Sequence, residues 1–135
     1  MILVDTSVWI NFLHGTGSKY QHALHQLIEE GEDMGVADII LTEILQGIKS
    51  DKAFKQTKDY LLAFPVYSLK DVNSYVEAAQ IYRACRKKGL TIRRPIDCII
   101  ARIAIENHLI LLHNDRDFDA IANATNQLDL FELGK

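Results

Sequence analysis

Two short stretches of the chain are continuously apolar and end at polar residues. Met1–Val4 stop at Asp5, and Leu109–Leu112 precede another polar segment. A continuous apolar run of this length is typical of a strand covered on both faces, as in a parallel sheet. The pattern therefore predicts two buried strands. Weaker strand signals lie at residues 34–37, 65–67 and 128–131.

Between these stretches, apolar residues recur at the three- and four-residue spacing of amphipathic helices. The predicted N-terminal caps are Thr6 or Ser7, Asp38 and Asn114, and Pro95 suits the first turn of a further helix. The longest helix is predicted from Asp71 to near Gly89, and its apolar positions are Val72, Tyr75, Val76, Ala79 and Tyr82. Alternating strands and helices indicate an α/β fold with a central parallel sheet of about five short strands.

Composition and charge narrow the class of protein. A length of 135 residues predicts a single domain, 1–135, and an apolar fraction of 48% is ordinary for a globular chain. The lack of a long apolar run, of a signal segment and of paired cysteine motifs predicts a soluble cytoplasmic protein that does not enter membranes. A net charge of -3 argues against wholesale coating of nucleic acid but permits a local basic patch between Arg83 and Arg94.

Acidic residues follow the predicted strands. Asp5, Asp115 and Asp117 come after the two apolar strands, and the carboxyl ends of parallel strands form one edge of a sheet, where ligands bind. Asp97 lies just after Pro95, and Glu43 lies among apolar residues of the helix after the second strand. Neither Asp97 nor Glu43 has an obvious sequence-local cation. The topology therefore predicts that these carboxylates converge.

Each acid alone has a simple structural interpretation, because an anion at a helix N-terminus is worth about 0.3–1 kcal/mol. That interpretation does not explain why several acids should converge. Two carboxylates about 4 Å apart repel by about 4 kcal/mol at an effective dielectric near 20. A divalent cation relieves this repulsion, and an all-oxygen ligand set favours Mg²⁺ or Mn²⁺. The chemistry implied is hydrolysis of a phosphodiester.

The sequence resembles PIN-domain ribonucleases, specifically the VapC-type toxins of toxin–antitoxin pairs. The resemblance is carried along nearly the whole chain by four segments in order: ILVDTSVWI, ILTEILQG, PIDCIIARIAIENHLILL and NDRDF. It implies a three-layer PIN-like fold and Mg²⁺- or Mn²⁺-dependent cleavage of RNA, often transfer RNA, that inhibits translation. It also implies a homodimer and a VapB-like antitoxin that inserts a basic side chain among the acids.

Site residues follow from the same resemblance. It implies that the catalytic, metal-binding acids are Asp5, Glu43, Asp97 and Asp115. Asp117 is an additional acid that binds metal directly or through water, Thr6 and Asn114 support the metal ligands, and the Thr6 hydroxyl is expected to contact Asp5. His113 departs from the pattern, since many relatives carry threonine or serine there, and it is expected to reach a substrate phosphate.

Arg93 and Arg94 precede Asp97 closely and are the predicted contacts to substrate phosphate, with a lysine stripe at 49, 52, 55 and 58 as an alternative.

Two other functions stay open. A non-catalytic PIN-like module would bind RNA or a partner without cleaving, although the acid set is complete. An aspartate-dependent phosphatase is a weaker alternative, because Asp5-Thr6-Ser7 lacks the D-x-D motif that such enzymes carry at a strand end.

Overall fold

The structure is a computed structural model that describes residues 1–133, and it contains a parallel β-sheet flanked by helices. The strands are β1 (Ile2–Val4), β2 (Met34–Ala37), β3 (Val66–Tyr67), β4 (Ile110–Leu112) and β5 (Asp129–Leu130). The helices are α1 (Thr6–Leu13), α2 (Lys19–Glu29), α3 (Asp38–Leu45), α4 (Asp51–Leu61), α5 (Val72–Lys87), α6 (Pro95–Glu106) and α7 (Arg116–Thr125).

The strand order of the sheet is β3-β2-β1-β4-β5, and every pairing is parallel. The chain builds outward from β1 through β2 to β3, then returns to the other side of β1 with β4 and β5. The strand order therefore reverses between β1 and β4, where Val4 aligns with Leu112. In open parallel sheets, the crevice outside the carboxyl ends of the strands at such a reversal is the usual ligand site.

The central strands lie in the core, as their continuous apolar sequences predict. Leu3, Val4, Leu111 and Leu112 are fully buried. Trp9 of α1 is also fully buried, and its ring packs edge-on against the side chains of Phe12, Tyr60 and Phe64. The residues that follow β1 and β4 therefore continue from strands that are buried in the close-packed core.

Three predicted helix starts are wrong by one or two residues. Asp5, not Thr6 or Ser7, caps α1, and its carboxylate accepts a hydrogen bond from the Ser7 backbone N–H. Asp115, not Asn114, caps α7 in the same way. Helix α3 begins without a side-chain cap at Ala37, and Asp38 lies in its first turn. The first two shifts matter because each cap is one of the candidate site acids.

The apolar stripe of α5 does not face the core. Val72, Tyr75 and Val76 are 81%, 57% and 54% exposed. The helix instead buries a different face, which carries Ser74, Ala78, Ile81 and Cys85. Four of the five predicted apolar positions are thus exposed, and the fifth, Tyr82, is half-buried. Within residues 1–133, no helix is both long and apolar enough to cross a bilayer.

Candidate active site

The acids predicted from the strand ends and helix starts are brought to one edge of the sheet. Asp5 follows β1 directly, and its backbone N–H donates to the carbonyl oxygen of Leu112 at 2.9 Å, which ties it to the end of β4. Asp115 follows β4 at the start of α7, and Asp97 lies in the first turn of α6. Glu43 reaches the same edge from α3, where an arginine of the site contacts it.

Three of these carboxylates are close enough to share one ion. Asp97, Asp115 and Asp117 each offer an oxygen, and the three oxygens lie within 4.8 Å of one another. Asp97 is fully buried and Asp117 nearly so, while Asp115 is half-buried. Asp5, also fully buried, is near enough for its charge to act on Asp97, although it does not belong to this tightest group.

Ser7 holds Asp5 in place. Its hydroxyl donates to Asp5 Oδ2 at 2.6 Å and accepts a hydrogen bond from the backbone N–H of Asn114 at 2.9 Å. One side chain thereby joins the loop after β1 to the loop after β4. The prediction that Thr6 supports Asp5 is wrong, since the Thr6 hydroxyl donates instead to Glu43 Oε1 at 2.9 Å. Thr6 is still a support for a site acid, but for a different one.

Arg94 bridges two acids from different helices. Its Nη1 donates to Glu43 Oε2 at 3.1 Å, and its Nη2 donates to Asp97 Oδ1 at 2.8 Å. The expectation that Asp97 has no sequence-local cation is therefore wrong, because Arg94 lies three residues before it. The same expectation holds for Glu43, since Arg94 is 51 residues away from it in sequence. Arg94 therefore relieves the same repulsion between carboxylates that a divalent ion would relieve.

Arg93 makes a second pair of contacts on the other side of the cluster. Its Nη2 donates to Asp115 Oδ1 at 2.7 Å and its Nε to Asp117 Oδ2 at 3.2 Å. The same Asp117 oxygen accepts the Arg93 backbone N–H at 3.1 Å. Asp117 therefore anchors the segment that enters α6, in addition to standing beside the other acids. The hydrogen bond to Asp117 and the charge of Asp115 raise the pKa of Arg93.

Burial shapes the electrostatics of the cluster. Burial raises the pKa of Asp97 to about 6, the hydrogen bond and charge of Arg94 oppose this shift, and the charge of Asp5 adds to it. Burial likewise raises the pKa of Asp5, against the hydrogen bonds from Ser7 and with the charge of Glu43. The cluster thus holds its negative charges at a cost that a bound cation would lower.

Protein contacts hold the His113 ring, and Asn114 contributes to the site through its backbone. His113 is 10% exposed, its Nδ1 accepts the backbone N–H of Asp115 at 3.0 Å, and its Nε2 lies 3.4 Å from Asp119 Oδ1. Both ring nitrogens therefore face protein groups rather than a substrate. Asn114 contributes its backbone N–H to Ser7, whereas its side chain is exposed.

The donor set suits a hard divalent cation. It consists of carboxylate oxygens, the ligands that Mg²⁺ and Mn²⁺ prefer. Asp5 Oδ1 is buried and has no hydrogen-bond partner among the described residues, an arrangement that is unfavourable for a carboxylate oxygen. An ion beside Asp5 and Asp97 would satisfy this oxygen. The residues present therefore fit the metal that the resemblance implies.

Comparison with known families agrees with this geometry. The family model described as PIN domain matches residues 2–124. The chain is 36% identical over 127 residues to the VapC ribonuclease Mb1587 of Mycobacterium bovis, a match covering 93% of this chain and 95% of that protein. The chain is a PIN domain of the VapC family. The same identity and coverage hold for ribonuclease VapC11 of Mycobacterium tuberculosis.

Solved VapC-family structures share the fold of this PIN domain. The DNA-bound VapBC of Salmonella typhimurium matches with a TM-score of 0.75 at 19% identity, covering 99% of this chain and 100% of that chain. VapBC2 of Rickettsia felis, bound to a promoter DNA fragment, matches with a TM-score of 0.73 at 20% identity, covering 97% of this chain and 98% of that chain. The parallel α/β PIN-like fold predicted from the sequence is confirmed.

Two residues of the site were not recognised from the sequence in the roles they have. The sequence pattern predicts a possible helix cap at Ser7 but not its bond to Asp5, although a hydroxyl two residues after an aspartate is the usual spacing for a local side-chain bond. The pattern predicts Arg94 as a substrate contact but not as a partner of Asp97, although its three-residue spacing near a helix start permits an ion pair.

Proposed function

We propose that this VapC-family chain is an endoribonuclease toxin that uses Mg²⁺ or Mn²⁺ to hydrolyse phosphodiester bonds of RNA, with transfer RNA or another structured RNA as substrate. The observation that carries the proposal is the convergence of carboxylates at the strand-order reversal, where the buried Asp5 Oδ1 has no hydrogen-bond partner within residues 1–133. The VapC ribonucleases that the chain resembles over most of its length support the same activity.

The side chains have distinct roles in this proposal. The metal ligands are Asp5, Glu43, Asp97 and Asp115, with Asp117 binding directly or through water. When bound, the ion would hold the scissile phosphate and lower the pKa of a water nucleophile. Ser7 and Thr6 fix the orientation of Asp5 and Glu43 by hydroxyl donation, as supports of metal ligands commonly do.

The partner proposed for this chain is a VapB-like antitoxin. Solved neighbours include VapBC complexes. An apolar groove between α1, α3 and α4 is lined by Ile10, Leu13, Ile44 and Ile48, and Glu43 also lines it. A partner segment in this groove would run past one of the proposed ligands, and could therefore block the site. Both proteins are expected to act in the cytoplasm.

A homodimer is proposed on the exposed stripe of α5. Val72, Tyr75 and Val76 leave a large apolar surface on one helix, and a neighbouring apolar groove is lined by Tyr75 of α5 and by Pro95 and Ile99 of α6. Contiguous exposed apolar surface of this kind usually marks a protein interface. A second copy of the chain is the occupant that the VapC resemblance implies.

The alternative is a non-catalytic PIN-like module that binds RNA through the same edge. Incubation of a labelled structured RNA with Mg²⁺, Mn²⁺ or EDTA separates the two functions. We expect cleavage with either ion, none with EDTA, and loss of cleavage in Asp5→Asn. Asp59→Asn is the matched control, because Asp59 lies on α4 and pairs there with Lys55. Equal cleavage by wild type and Asp5→Asn would contradict the proposal.

The substrate can be identified in cells. Brief induction of the wild-type protein, followed by mapping of new RNA ends across total RNA, should give discrete cleavage sites that Asp5→Asn does not produce. Sites confined to transfer RNA would support that substrate, and sites spread over messenger RNA would contradict it.

A further inference from the structure

The carboxylates bridged by Arg94 have their oxygens engaged by protein donors. Glu43 Oε1 accepts from Thr6 and Oε2 from Arg94. Asp97 Oδ1 accepts from Arg94 Nη2 at 2.8 Å, and Asp97 Oδ2 accepts from Arg94 Nε at 3.5 Å. The planar fork of the guanidinium thus occupies hydrogen-bonding positions on both acids for which a bound cation would compete.

A guanidinium and a divalent ion compete for these oxygens, because their positive charges repel at contact distance. Asp97 is fully buried, and a buried carboxylate without a counter-charge is strongly unfavourable. The two cations should therefore exchange, so that the acids are neutralised in both states. Arg94 is 46% exposed, which gives its side chain solvent to move into.

We propose that Arg94 is the resident counter-cation of the metal-free site, and that a divalent ion displaces it from the two carboxylates it bridges. This inference rests on the proposed metal-dependent function. Once released, the guanidinium stays on the rim of the site, where it is suited to bind a phosphate of the RNA through paired hydrogen bonds. The predicted substrate contact of Arg94 would then exist only in the metal-loaded protein.

Arg93 provides an internal contrast. Its side chain also pairs with two acids, but its backbone N–H is bound to the same Asp117 oxygen as its Nε. The segment at Arg93 is therefore held to Asp117 by the main chain as well as by the side chain. An ion on Asp115 and Asp117 would also compete with the Arg93 side chain, but the main-chain hydrogen bond keeps Arg93 beside Asp117. We therefore expect a larger displacement of Arg94 than of Arg93.

The direct test is NMR of the arginine Nε–H groups in the wild-type protein, assigned with Arg93→Lys and Arg94→Lys. In metal-free protein, both signals should be observed and protected from exchange with water. Addition of diamagnetic Mg²⁺ should move the Arg94 signal to the position and exchange rate of an exposed arginine, with a smaller change at Arg93. An Arg94 signal that stays unchanged while Mg²⁺ binds would overturn the inference.

Calorimetry of Mn²⁺ binding gives an independent readout. Arg94→Gln should bind Mn²⁺ roughly three- to ten-fold more tightly than wild type, because the ion no longer displaces a partly exposed ion pair. Arg86→Gln removes the same charge from an arginine that stacks on Tyr82, and should change affinity less than about two-fold. Arg94→Lys, which keeps the charge but not the fork, should fall between wild type and Arg94→Gln.

The outcomes distinguish this inference from the proposed function. Equal shifts in Arg94→Gln and Arg86→Gln would show a general charge effect and overturn the exchange. Weaker binding in Arg94→Gln would also overturn it, because Arg94 would then support the loaded site. If Arg94→Gln fails to fold, the NMR titration of the wild-type protein still tests whether Mg²⁺ displaces Arg94. Absence of Mn²⁺ uptake by wild type and all variants would overturn the proposed function itself.

Discussion

The Ser7 hydroxyl connects the loops that carry Asp5 and Asp115, and its removal is a sharp perturbation of the site. Ser7→Ala deletes a short hydrogen bond to the buried Asp5 carboxylate and leaves the Asn114 backbone N–H without its side-chain acceptor. A hydrogen bond to a charged group is worth about 1.5–3 kcal/mol and a neutral one about 1 kcal/mol. Asp5 keeps the Ser7 backbone N–H at 3.1 Å, and water can reach Asn114, so the losses are partial.

The expected loss in free energy of unfolding is therefore about 2–3 kcal/mol for the metal-free protein. Near this chain length a change of 1 kcal/mol moves Tm by about 3–5 °C, so the expected decrease is roughly 6–15 °C. Mn²⁺ affinity should also fall by about 10–100-fold, because Asp5 is no longer held in one orientation. Thermal unfolding and calorimetry measure the two effects.

Two matched variants make this prediction specific. Ser18→Ala removes the cap of α2, whose hydroxyl accepts the Gln21 backbone N–H, and should cost about 1 kcal/mol with no change in Mn²⁺ affinity. Ser7→Thr keeps the hydroxyl and should restore most of the lost affinity. If Ser7→Ala is no less stable than Ser18→Ala and binds Mn²⁺ as wild type does, Ser7 does not join the two loops.

Other predictions concern the fold, the surface and pH. A Cβ on Gly35 would meet the ring of Tyr67 and the Pro65 carbonyl oxygen, so Gly35→Ala should cost about 1–3 kcal/mol by denaturant unfolding, and less when Tyr67 is also changed to alanine. Tyr75→Asp should convert a dimer to a monomer by sedimentation while changing Tm little, because Tyr75 is 57% exposed; an unchanged sedimentation coefficient would reject the α5 interface. Burial raises the pKa of Asp97 from 3.8 to about 6, so the folded protein binds the extra proton, and its stability relative to Asp97→Asn should fall as pH rises through this interval in metal-free urea titrations. A difference that is independent of pH would contradict the raised pKa.

The acids of the site could be predicted because each is tied to a strand end or a helix start. Continuous apolar runs marked β1 and β4, and a parallel sheet brings the carboxyl ends of its strands to one edge. Asp5 and Asp115 then follow from position alone. Asp97 was placed correctly in the first turn after Pro95, which fits the fixed backbone angle of proline at that position.

The counter-charges could not be predicted from the same reasoning. Whether Arg94 reaches solvent, RNA or Glu43 depends on side-chain geometry across two helices that are far apart in sequence. Which of the Thr6 and Ser7 hydroxyls supports Asp5 could not be predicted for a related reason. Both carry hydroxyls, and which one faces Asp5 depends on where α1 begins, a boundary that the sequence pattern does not define to one residue.

The exposure of the apolar face of α5 could not be predicted from the sequence for a different reason. Periodicity reveals that a helix has an apolar stripe, but it does not reveal whether the chain itself covers that stripe. In α5, small residues such as Ala78 and Cys85 turn inward, and the larger Tyr75 stays outside. An apolar stripe that packs against a partner chain has the same residue spacing as one that packs against the core.

Calorimetric titration of Mn²⁺ into the partner-free protein determines whether the converged carboxylates form a cation site. Wild type should take up the ion with a saturable signal, and Asp5→Asn, which neutralises the buried carboxylate with the unsatisfied oxygen, should lose most of that affinity. Asp59→Asn should bind as wild type does. No uptake by wild type, or equal uptake by Asp5→Asn, would contradict the account.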